Sequence, residues 1–429
     1  MSNVLNDRRI IEISVDTGFS ATKVIVNGIY FEFPSQVVDI TGDESSYIGK
    51  MQKNFIKAQI IDGRTHVVGK FAVTELSEEK TRIQKAITDE IDNSFRKFKT
   101  EDYKIGLMTA IGLAISKYAI YTKVHDIKPC LLKEDGSIDL TGWNIFVAVA
   151  LPHSAVKDYW GSVKEVLVKE HDYTITTNDG SFRLAFELTE NNVMHQSQMI
   201  CAIVGLFADD NGNEMSECDL FKNLPALIID GGYVTVGECK LNTQKKTVDG
   251  DSNQDYAMYN INSAVAKKLA EKYNRPDIQE FNVDNIITGL VNDDMDFVEV
   301  TEDGKTQVVN KEEILKIQAE TISETFDKFV DYLNKKYENM VSIRSIVLTG
   351  GTGAVYFPYM KKYVQEYKSH LKGKVFLTEY EFQGVKIEPQ FAISAGLYKS
   401  LHHEVEVALK RAAKEKAKAA EKISNNGRK

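Results

Sequence analysis

Residues 226–241 read ALIIDGGYVTVGECKL, which is an apolar run that ends at Asp230, two glycines, and a second run with alternating apolar residues. This pattern predicts a strand, a tight turn at Gly231-Gly232 and a returning strand. Glycines in such a turn can adopt positive φ and let backbone N–H groups approach a phosphate, while the carboxylate of Asp230 can face a cation. The stretch therefore indicates a hairpin that can bind a phosphate and its metal ion.

A second unit of the same form lies near the N-terminus. Residues 10–16 read IIEISVD, which predicts a strand that ends at Asp16, and the turn that follows contains Gly18 and Lys23. Both units have the order strand, Asp, Gly-containing turn and strand, and this pair is the internal repetition of the sequence. Two such hairpins that face one another can clamp the phosphates and the metal ion of a nucleotide.

A third stretch, residues 346–353, reads IVLTGGTG and predicts an apolar strand that runs into a Gly-rich loop. An amphipathic segment begins around Pro358. We expect this loop to approach the base and sugar of the nucleotide whose phosphates the two Asp hairpins bind.

The order of these motifs resembles that of a known superfamily. The residues that carry the resemblance are Asp16, Gly18 and Lys23, then Asp230, Gly232 and Thr235, then Gly350, Gly351 and Gly353. They are similar to the phosphate-1, phosphate-2 and adenosine motifs of the actin, sugar kinase and heat-shock ATPase superfamily. Within it, the chain most resembles the bacterial plasmid-segregation actins of the ParM type.

Three further segments also resemble that group, and two positions depart from it. The similar segments are Phe33-Pro-Ser35, Ala150-Leu-Pro152 and Val193–Ser197. Phe19 occupies a position where a small polar residue is usual, and Tyr233-Val234 replace small residues after Gly232. These departures concern the details of phosphate contact.

The resemblance implies an α/β chain with the actin-like fold. Two domains, each built on a mixed β-sheet flanked by helices, would hold a nucleotide in the cleft between them. Domain I would comprise residues 1–185, with residues 385–405 returning to it, and domain II would comprise residues 186–384. Residues 406–429 would form a charged helical tail.

The resemblance also implies a binding site for ATP or GTP with Mg²⁺. The phosphate-binding residues would be Thr17, Gly18, Phe19, Ser20 and Lys23 in the first motif and Gly231, Gly232, Tyr233 and Thr235 in the second. The adenosine-binding residues would be Gly350, Gly351, Thr352, Gly353 and Lys267. Asp16 and Asp230 would hold Mg²⁺ through water molecules, because Mg²⁺ gives up its hydration shell reluctantly.

Hydrolysis needs a residue that orients the attacking water. The family uses a Glu or Gln after the strand that precedes the second phosphate motif, and Gln196 matches that position. Its amide can hold a water molecule by accepting one hydrogen bond and donating another. The implied catalytic set is Gln196, Asp230 and Asp16, and the neighbouring residues Gln198, His195 and Glu190 remain alternatives to Gln196.

Between the motifs, the sequence predicts several further elements. Residues 75–98 are highly charged and predict a surface loop or helix, and residues 240–255 predict a polar loop. Helical spacing marks residues 103–116, 154–170, 260–273 with Asn262 or Ser263 as its cap, 277–292, 311–337 and the terminal segment from residue 402. Asp303-Gly304 predicts the turn of a hairpin over residues 298–309.

Composition narrows the class of protein. With 43% hydrophobic and 27% charged residues, the 429-residue chain is typical of a soluble globular protein long enough for two domains. Neither a signal peptide nor an apolar run that could span a membrane is evident, which favours a cytoplasmic protein without a membrane partner. The net charge of −9 argues against direct nucleic-acid binding by the body of the protein.

These inferences favour a nucleotide-dependent, filament-forming ATPase. Resemblance to the plasmid-segregation actins implies that the chain polymerises with itself and that a DNA-binding adaptor links the filament to centromere DNA. A phage-encoded filament that positions DNA would share the same residues. A small-molecule kinase of the same superfamily is a further alternative, and it would need an additional catalytic Asp and a sugar-sized pocket.

Overall fold

The computed structural model of the chain describes residues 9–42, 55–60, 63–69, 72, 96–152, 156–215, 218–276, 278, 280, 283, 297–300, 306–309, 311–382 and 384–426. The expectations for residues 75–95, for most of residues 277–292 and for the Asp303-Gly304 turn lie outside these ranges.

The described residues form a mixture of strands and helices. In chain order, the strands are β1 Ile10–Thr17, β2 Ala21–Val26, β3 Ile29–Pro34, β4 Val37–Asp39, β5 Ile56–Gln59, β6 His66–Val68, β7 Asn144–Leu151, β8 Glu170–Thr177, β9 Gly180–Glu187, β10 Val193–Ser197, β11 Ala226–Gly231, β12 Val236–Leu241, β13 Thr247–Asn253, β14 Phe297–Val300, β15 Thr306–Val309, β16 Ser345–Thr349, β17 Val375–Leu377, β18 Tyr380–Phe382 and β19 Val385–Ile387. The helices are α1 Glu101–Val124, α2 Val156–Leu167, α3 Gln198–Phe207, α4 Asp219–Lys222, α5 Met258–Tyr273, α6 Lys311–Lys336, α7 Gly350–Tyr367 and α8 Ala392–Asn426.

Two five-stranded mixed sheets have the same internal plan. The first has the order β3-β2-β1-β7-β10 and the second has the order β13-β12-β11-β16-β17. In each, the central strand pairs antiparallel with the next strand in sequence and parallel with a later one. The central strands β1 and β11 carry Asp16 and Asp230 at their carboxyl ends. The repeated Asp hairpin of the sequence is therefore the centre of a repeated sheet, and the predicted α/β architecture is confirmed.

The first sheet is covered on one side by α1 and a third, antiparallel sheet. That sheet has the order β4-β6-β5-β8-β9 and shares one core with α1 and the first sheet. Among the described helices, α1 alone is long and apolar enough to cross a membrane, but 78% of its most apolar window is buried inside the protein. This burial is what a core helix requires.

Helix α3 lies between the two mixed sheets. Met199 and Ile203 pack with Ile228 and Cys239 of the second sheet. Cys201 and Ala202 pack instead with Ala148, Ala150 and helix α8, on the side of the first sheet. One short helix thus contacts both sheets, and its first residue is Gln198.

Helix α8 crosses α3 at very close range. Its residues Ile393, Leu397 and Leu401 are buried against the first sheet and α3. The approach depends on Gly396, because a Cβ placed there would lie 1.8 Å from the carbonyl oxygen of Cys201. The later part of α8, from Lys410 to Glu415, is exposed. Whether residues 406–429 form a separate tail, and where the domain boundaries fall, stay predictions.

Two sequence-based expectations were wrong in detail. Residues 247–253, predicted as part of a loop, form the edge strand β13, which pairs antiparallel with β12. Helix α5 begins at Met258 with Ala257 as its N-cap, so it starts before the predicted caps Asn262 and Ser263. Asn262 is buried and accepts a hydrogen bond from Gln318 at 2.8 Å, so packing against α6 determines its role.

The charged stretch 75–98 was also misjudged at its end. Arg96–Lys99 is a 3₁₀ helix in which Lys97 and Phe98 are buried. Phe98 packs against Tyr103 in the core of the first sheet, with ring centroids 5.0 Å apart. Burial of one aromatic residue can bury the polar residues beside it, and the charge composition of the segment does not predict this.

Replacing Gly396 with Ala should strongly destabilise the protein. The added methyl group would meet the backbone of Cys201, which cannot move without separating α3 from α8, and such overpacking costs about 1–3 kcal/mol and occasionally more. The matched control is Gly161→Ala in α2, where nothing lies within 4 Å of the new Cβ. That change should stabilise by about 1 kcal/mol or less. Urea unfolding of both variants is the measurement, and equal stabilities would contradict the close crossing.

Candidate functional site

Three charged groups meet at the ends of the two central strands. Asp16 is 3% exposed and pairs across the β1–β2 hairpin with Lys23. Burial and, after it, the nearby negative charge of Asp16 together raise the pKa of Asp230 to about 7, although the ammonium of Lys23 opposes both effects. The two charge effects require Asp16 and Lys23 to lie near Asp230, so the two carboxylates and the lysine share one site. The sequence-predicted pairing of the two Asp hairpins is present in this geometry.

The first motif forms a tight loop whose backbone is fixed by several hydrogen bonds. The Gly18 N–H donates to the carbonyl oxygens of Asp16 at 3.2 Å and Ala21 at 3.1 Å. A Cβ on Gly18 would lie 2.6 Å from the Ala21 oxygen, so this turn requires glycine. The Ser35 hydroxyl donates to the Gly18 carbonyl oxygen at 2.9 Å. Because a trans peptide points its C=O and N–H in opposite directions, this bond directs the Phe19 N–H away from Ser35.

Phe19, which departs from the family pattern, contacts Lys97, a residue that was not predicted from the sequence. The Nζ of Lys97 lies 3.8 Å from the centre of the Phe19 ring and donates a hydrogen bond to the Thr17 carbonyl oxygen at 3.0 Å. Lys97 is only 6% exposed. No motif marks it, and the aromatic residue at position 19 is the one sequence signal that could have suggested a nearby cation.

The second and third motifs are in direct backbone contact. The Gly232 N–H donates to the Thr235 carbonyl oxygen at 2.8 Å and closes a turn over residues 232–235. Gly231 still pairs with Val236 in the ladder, so the predicted tight turn at Gly231-Gly232 was wrong in position. A Cβ on Gly231 would lie 2.2 Å from the amide nitrogen of Gly353, so only glycine allows this approach. The Thr352 hydroxyl donates to the Gly232 carbonyl oxygen at 2.6 Å. The structure therefore brings together the glycines that the sequence assigned to phosphate and adenosine binding.

The third motif is the beginning of a helix, contrary to the prediction of a loop before a segment starting at Pro358. Helix α7 begins at Gly350, which has φ of +76°. A Cβ on this residue would lie 2.4 Å from the Gly231 carbonyl oxygen and 3.1 Å from Asp230 Oδ1. The start of α7 is thus next to Asp230. A helix N-terminus presents free N–H groups and a partial positive charge, both of which favour an anion.

Two predicted contact residues have their side chains engaged elsewhere. The Tyr233 hydroxyl donates to the carboxylate of Glu280, and its ring packs edge-on against Tyr259 with centroids 6.2 Å apart. The side chain of Lys267 is 78% exposed on α5, with Nζ 4.0 Å from Glu271. For Tyr233, only the backbone remains a candidate for phosphate binding. Lys267 lies on a solvated helix face.

Gln198, rather than Gln196, contacts the carboxylate of Asp16. The amide of Gln198 donates from Nε2 to Asp16 Oδ1 at 3.0 Å. Gln196 pairs with Ala150, which pairs in turn with Asp16, so Gln196 lies two strands from Asp16. That spacing is about 10 Å. The register alone therefore does not bring Gln196 into contact with Asp16.

The other two alternatives are directed away from the carboxylates. His195 stacks on Trp160 with ring centroids 4.3 Å apart, and burial lowers its pKa. Glu190 forms an ion pair with Lys164 at 2.7 Å. Neither contact involves Asp16 or Asp230.

A cavity of about 530 Å³ adjoins these groups. Its lining includes Pro152, Gln198, Asp230 and Thr235, together with the segment 250–255 at the end of β13. Within the described ranges, no group of three or more His, Cys, Asp or Glu side chains is arranged to hold a metal ion directly. Two carboxylates and an amide fit Mg²⁺, which retains several of its water ligands in proteins.

Comparisons with known proteins agree on the fold. Neither the protein-family models nor the curated proteins include a match to this sequence. Among solved structures, the actin-like protein Alp7A is similar over 95% of this chain and 100% of its own, with a TM-score of 0.62 and 15% identity. A 15-stranded ParM filament from Clostridium botulinum is similar over 91% and 98%, with a TM-score of 0.60 and 18% identity.

A third similar structure is a non-polymerisable quadruple mutant of pCBH ParM. It is similar over 91% of this chain and 98% of its own, with a TM-score of 0.56 and 19% identity. At such low identity the likeness establishes the fold. The chain therefore has the actin-like fold of ParM and Alp7A, as the resemblance of its motifs implied.

Proposed function

We propose that the chain is a filament-forming, actin-like ATPase of the cytoplasm that binds ATP or GTP with Mg²⁺ and segregates plasmid DNA through a DNA-binding adaptor. The observation that carries the proposal is the meeting of Asp16, Asp230 and Lys23 beside the N-terminus of α7. Two carboxylates suit a hydrated cation, and a lysine with backbone amides of the neighbouring turns suits phosphate oxygens. Nucleoside polyphosphates combine these two requirements.

Each group then has a role in binding. Asp16 and Asp230 hold the hydrated Mg²⁺, which compensates phosphate charge when bound. The ammonium of Lys23 acts as a point charge on the β- or γ-phosphate. The N–H groups of Gly18 and Gly232 donate within their own turns, and the other backbone amides of these two turns donate hydrogen bonds to phosphate oxygens. Gly350, Gly351, Thr352 and Gly353 approach the nucleoside.

We assign the orientation of the attacking water to Gln198. Its amide nitrogen is committed to Asp16, and this contact fixes the side chain at the edge of the cavity that Asp230 also lines. The amide oxygen is then available to accept a hydrogen bond from water. Gln196 stays the sequence-based alternative, and mutation distinguishes the two.

Assembly follows from how copies of one chain can pack. A contact between two different surfaces of the same protein continues indefinitely and generates a helical filament unless it closes into a ring. Two of the solved structures with this fold are described as a filament and a non-polymerisable mutant. Since the net charge of −9 opposes direct contact with DNA, an adaptor would make that link.

Purified protein mixed with Mg-ATP or Mg-GTP should assemble and then release phosphate. Right-angle light scattering follows assembly, and a coupled phosphate assay follows hydrolysis in the same sample. Protein without nucleotide is the control and should show a flat signal. If scattering stays flat at every concentration, or if phosphate transfer requires a small-molecule acceptor, the filament proposal is wrong and a kinase is favoured.

Gln198→Ala should slow phosphate release roughly 10- to 100-fold, because the water loses its orienting group. Assembly should persist, since the amide is not among the proposed nucleotide-binding groups. Gln196→Ala is the paired variant, and phosphate release per assembled subunit is the measurement. If Gln196→Ala slows hydrolysis and Gln198→Ala does not, the sequence-based assignment is correct and ours fails.

A further inference from the structure

The phosphate-1 loop, residues 17–20, is held from two sides. On one side, Ser35 donates to the Gly18 carbonyl oxygen, and its hydroxyl is 3.0 Å from that of Thr22. On the other side, Lys97 donates to the Thr17 carbonyl oxygen at 3.0 Å. Ser35 lies in the segment that resembles the family, whereas Lys97 belongs to the 3₁₀ helix Arg96–Lys99, far from the three motifs in sequence.

The ammonium of Lys97 is fixed in position by aromatic rings. It lies 3.8 Å from the centre of the Phe19 ring and 5.2 Å from that of Phe98. A cation over an aromatic face is attracted by the ring quadrupole, and the attraction is stronger where water is excluded. Phe98 is 1% exposed and part of the main core, so the contact connects the loop to a rigid part of the fold.

These contacts determine which way the loop amides point. Because C=O and N–H lie on opposite sides of a trans peptide, the bond from Lys97 to the Thr17 oxygen fixes the orientation of the Gly18 N–H, which closes the loop by donating to the carbonyl oxygens of Asp16 and Ala21. The bond from Ser35 fixes the Phe19 N–H in the same way. Two consecutive peptide planes are therefore oriented by side chains outside the loop.

We propose that Lys97 is a positioning residue for nucleotide binding, which holds the phosphate-1 loop in the conformation that receives the phosphates. The proposal rests on the proposed function and adds a residue to it. It also explains position 19, where Phe replaces the small polar residue that the resemblance leads one to expect. The Phe19 ring packs against the Lys97 ammonium. Phosphate would therefore be bound in this loop by backbone amides and not by the side chain at position 19.

The test is the affinity for Mg²⁺ with a fluorescent ATP analogue, measured on the full chain at protein concentrations where scattering shows no assembly. Lys97→Met keeps most of the side-chain volume but removes the charge and the donor. It should weaken binding roughly tenfold, since a lost hydrogen bond from a charged group has effects of this size. Lys97→Arg keeps the charge and the donor and should recover most of the affinity.

Lys99→Met is the matched control. Lys99 lies on the same 3₁₀ helix and also places its ammonium over an aromatic ring, that of Tyr159 at 5.3 Å, but it is exposed. Its replacement should leave the affinity unchanged. Urea unfolding without nucleotide measures any general loss of stability in each variant.

The outcomes separate the two proposals. If wild-type protein does not bind the analogue, the proposed function fails. If wild type and Lys99→Met bind well and folded Lys97→Met binds equally well, the role of Lys97 is overturned, even where its unfolding midpoint falls. If Lys97→Met does not fold, Phe19→Leu decides: a several-fold loss of affinity supports the proposal, and an unchanged affinity overturns it.

Discussion

The repulsion between two carboxylates at the ends of the central strands is the constraint around which the site is built. Asp16 and Asp230 lie close enough for one to raise the pKa of the other, in a setting where burial already disfavours charge. A single lysine, Lys23, offsets part of this repulsion. Such a pair is costly unless a cation joins it. The proposed Mg²⁺ would therefore compensate the repulsion between the carboxylates of Asp16 and Asp230, which is unfavourable in the protein without a bound cation.

The remainder of the architecture determines that these two carboxylates meet. Two sheets of the same plan each place an Asp at the carboxyl end of the central strand, and α3 packs against both sheets. The same helix begins with Gln198, which bonds Asp16. Because Gly396 has no side chain, the backbone of α8 can pack directly against the backbone of α3 at Cys201. A change of separation between the sheets would thus be transmitted to Gln198 and the carboxylates together.

The parts of the fold predicted from sequence are those with strong local patterns. The strands that carry Asp16 and Asp230 near their ends, the presence of a hairpin after Asp230 and most helices follow from apolar periodicity and glycine position. Gln198 was only an alternative to Gln196 and Lys97 was not predicted at all, because the contact of each residue depends on a partner more than 70 residues away. The start of α7 at Gly350 was missed because a Gly-rich run predicts a loop, whereas here glycines permit close backbone contact.

The most direct test of the central claim is the structure of the protein with Mg²⁺ and a non-hydrolysable ATP analogue. We predict density for a hydrated metal ion between Asp16 and Asp230, with phosphate oxygens on Lys23 and on the amides of the two Asp hairpins. The nucleoside would lie at the start of α7. Density for the analogue elsewhere, or a metal ion bound without either carboxylate, would contradict this prediction.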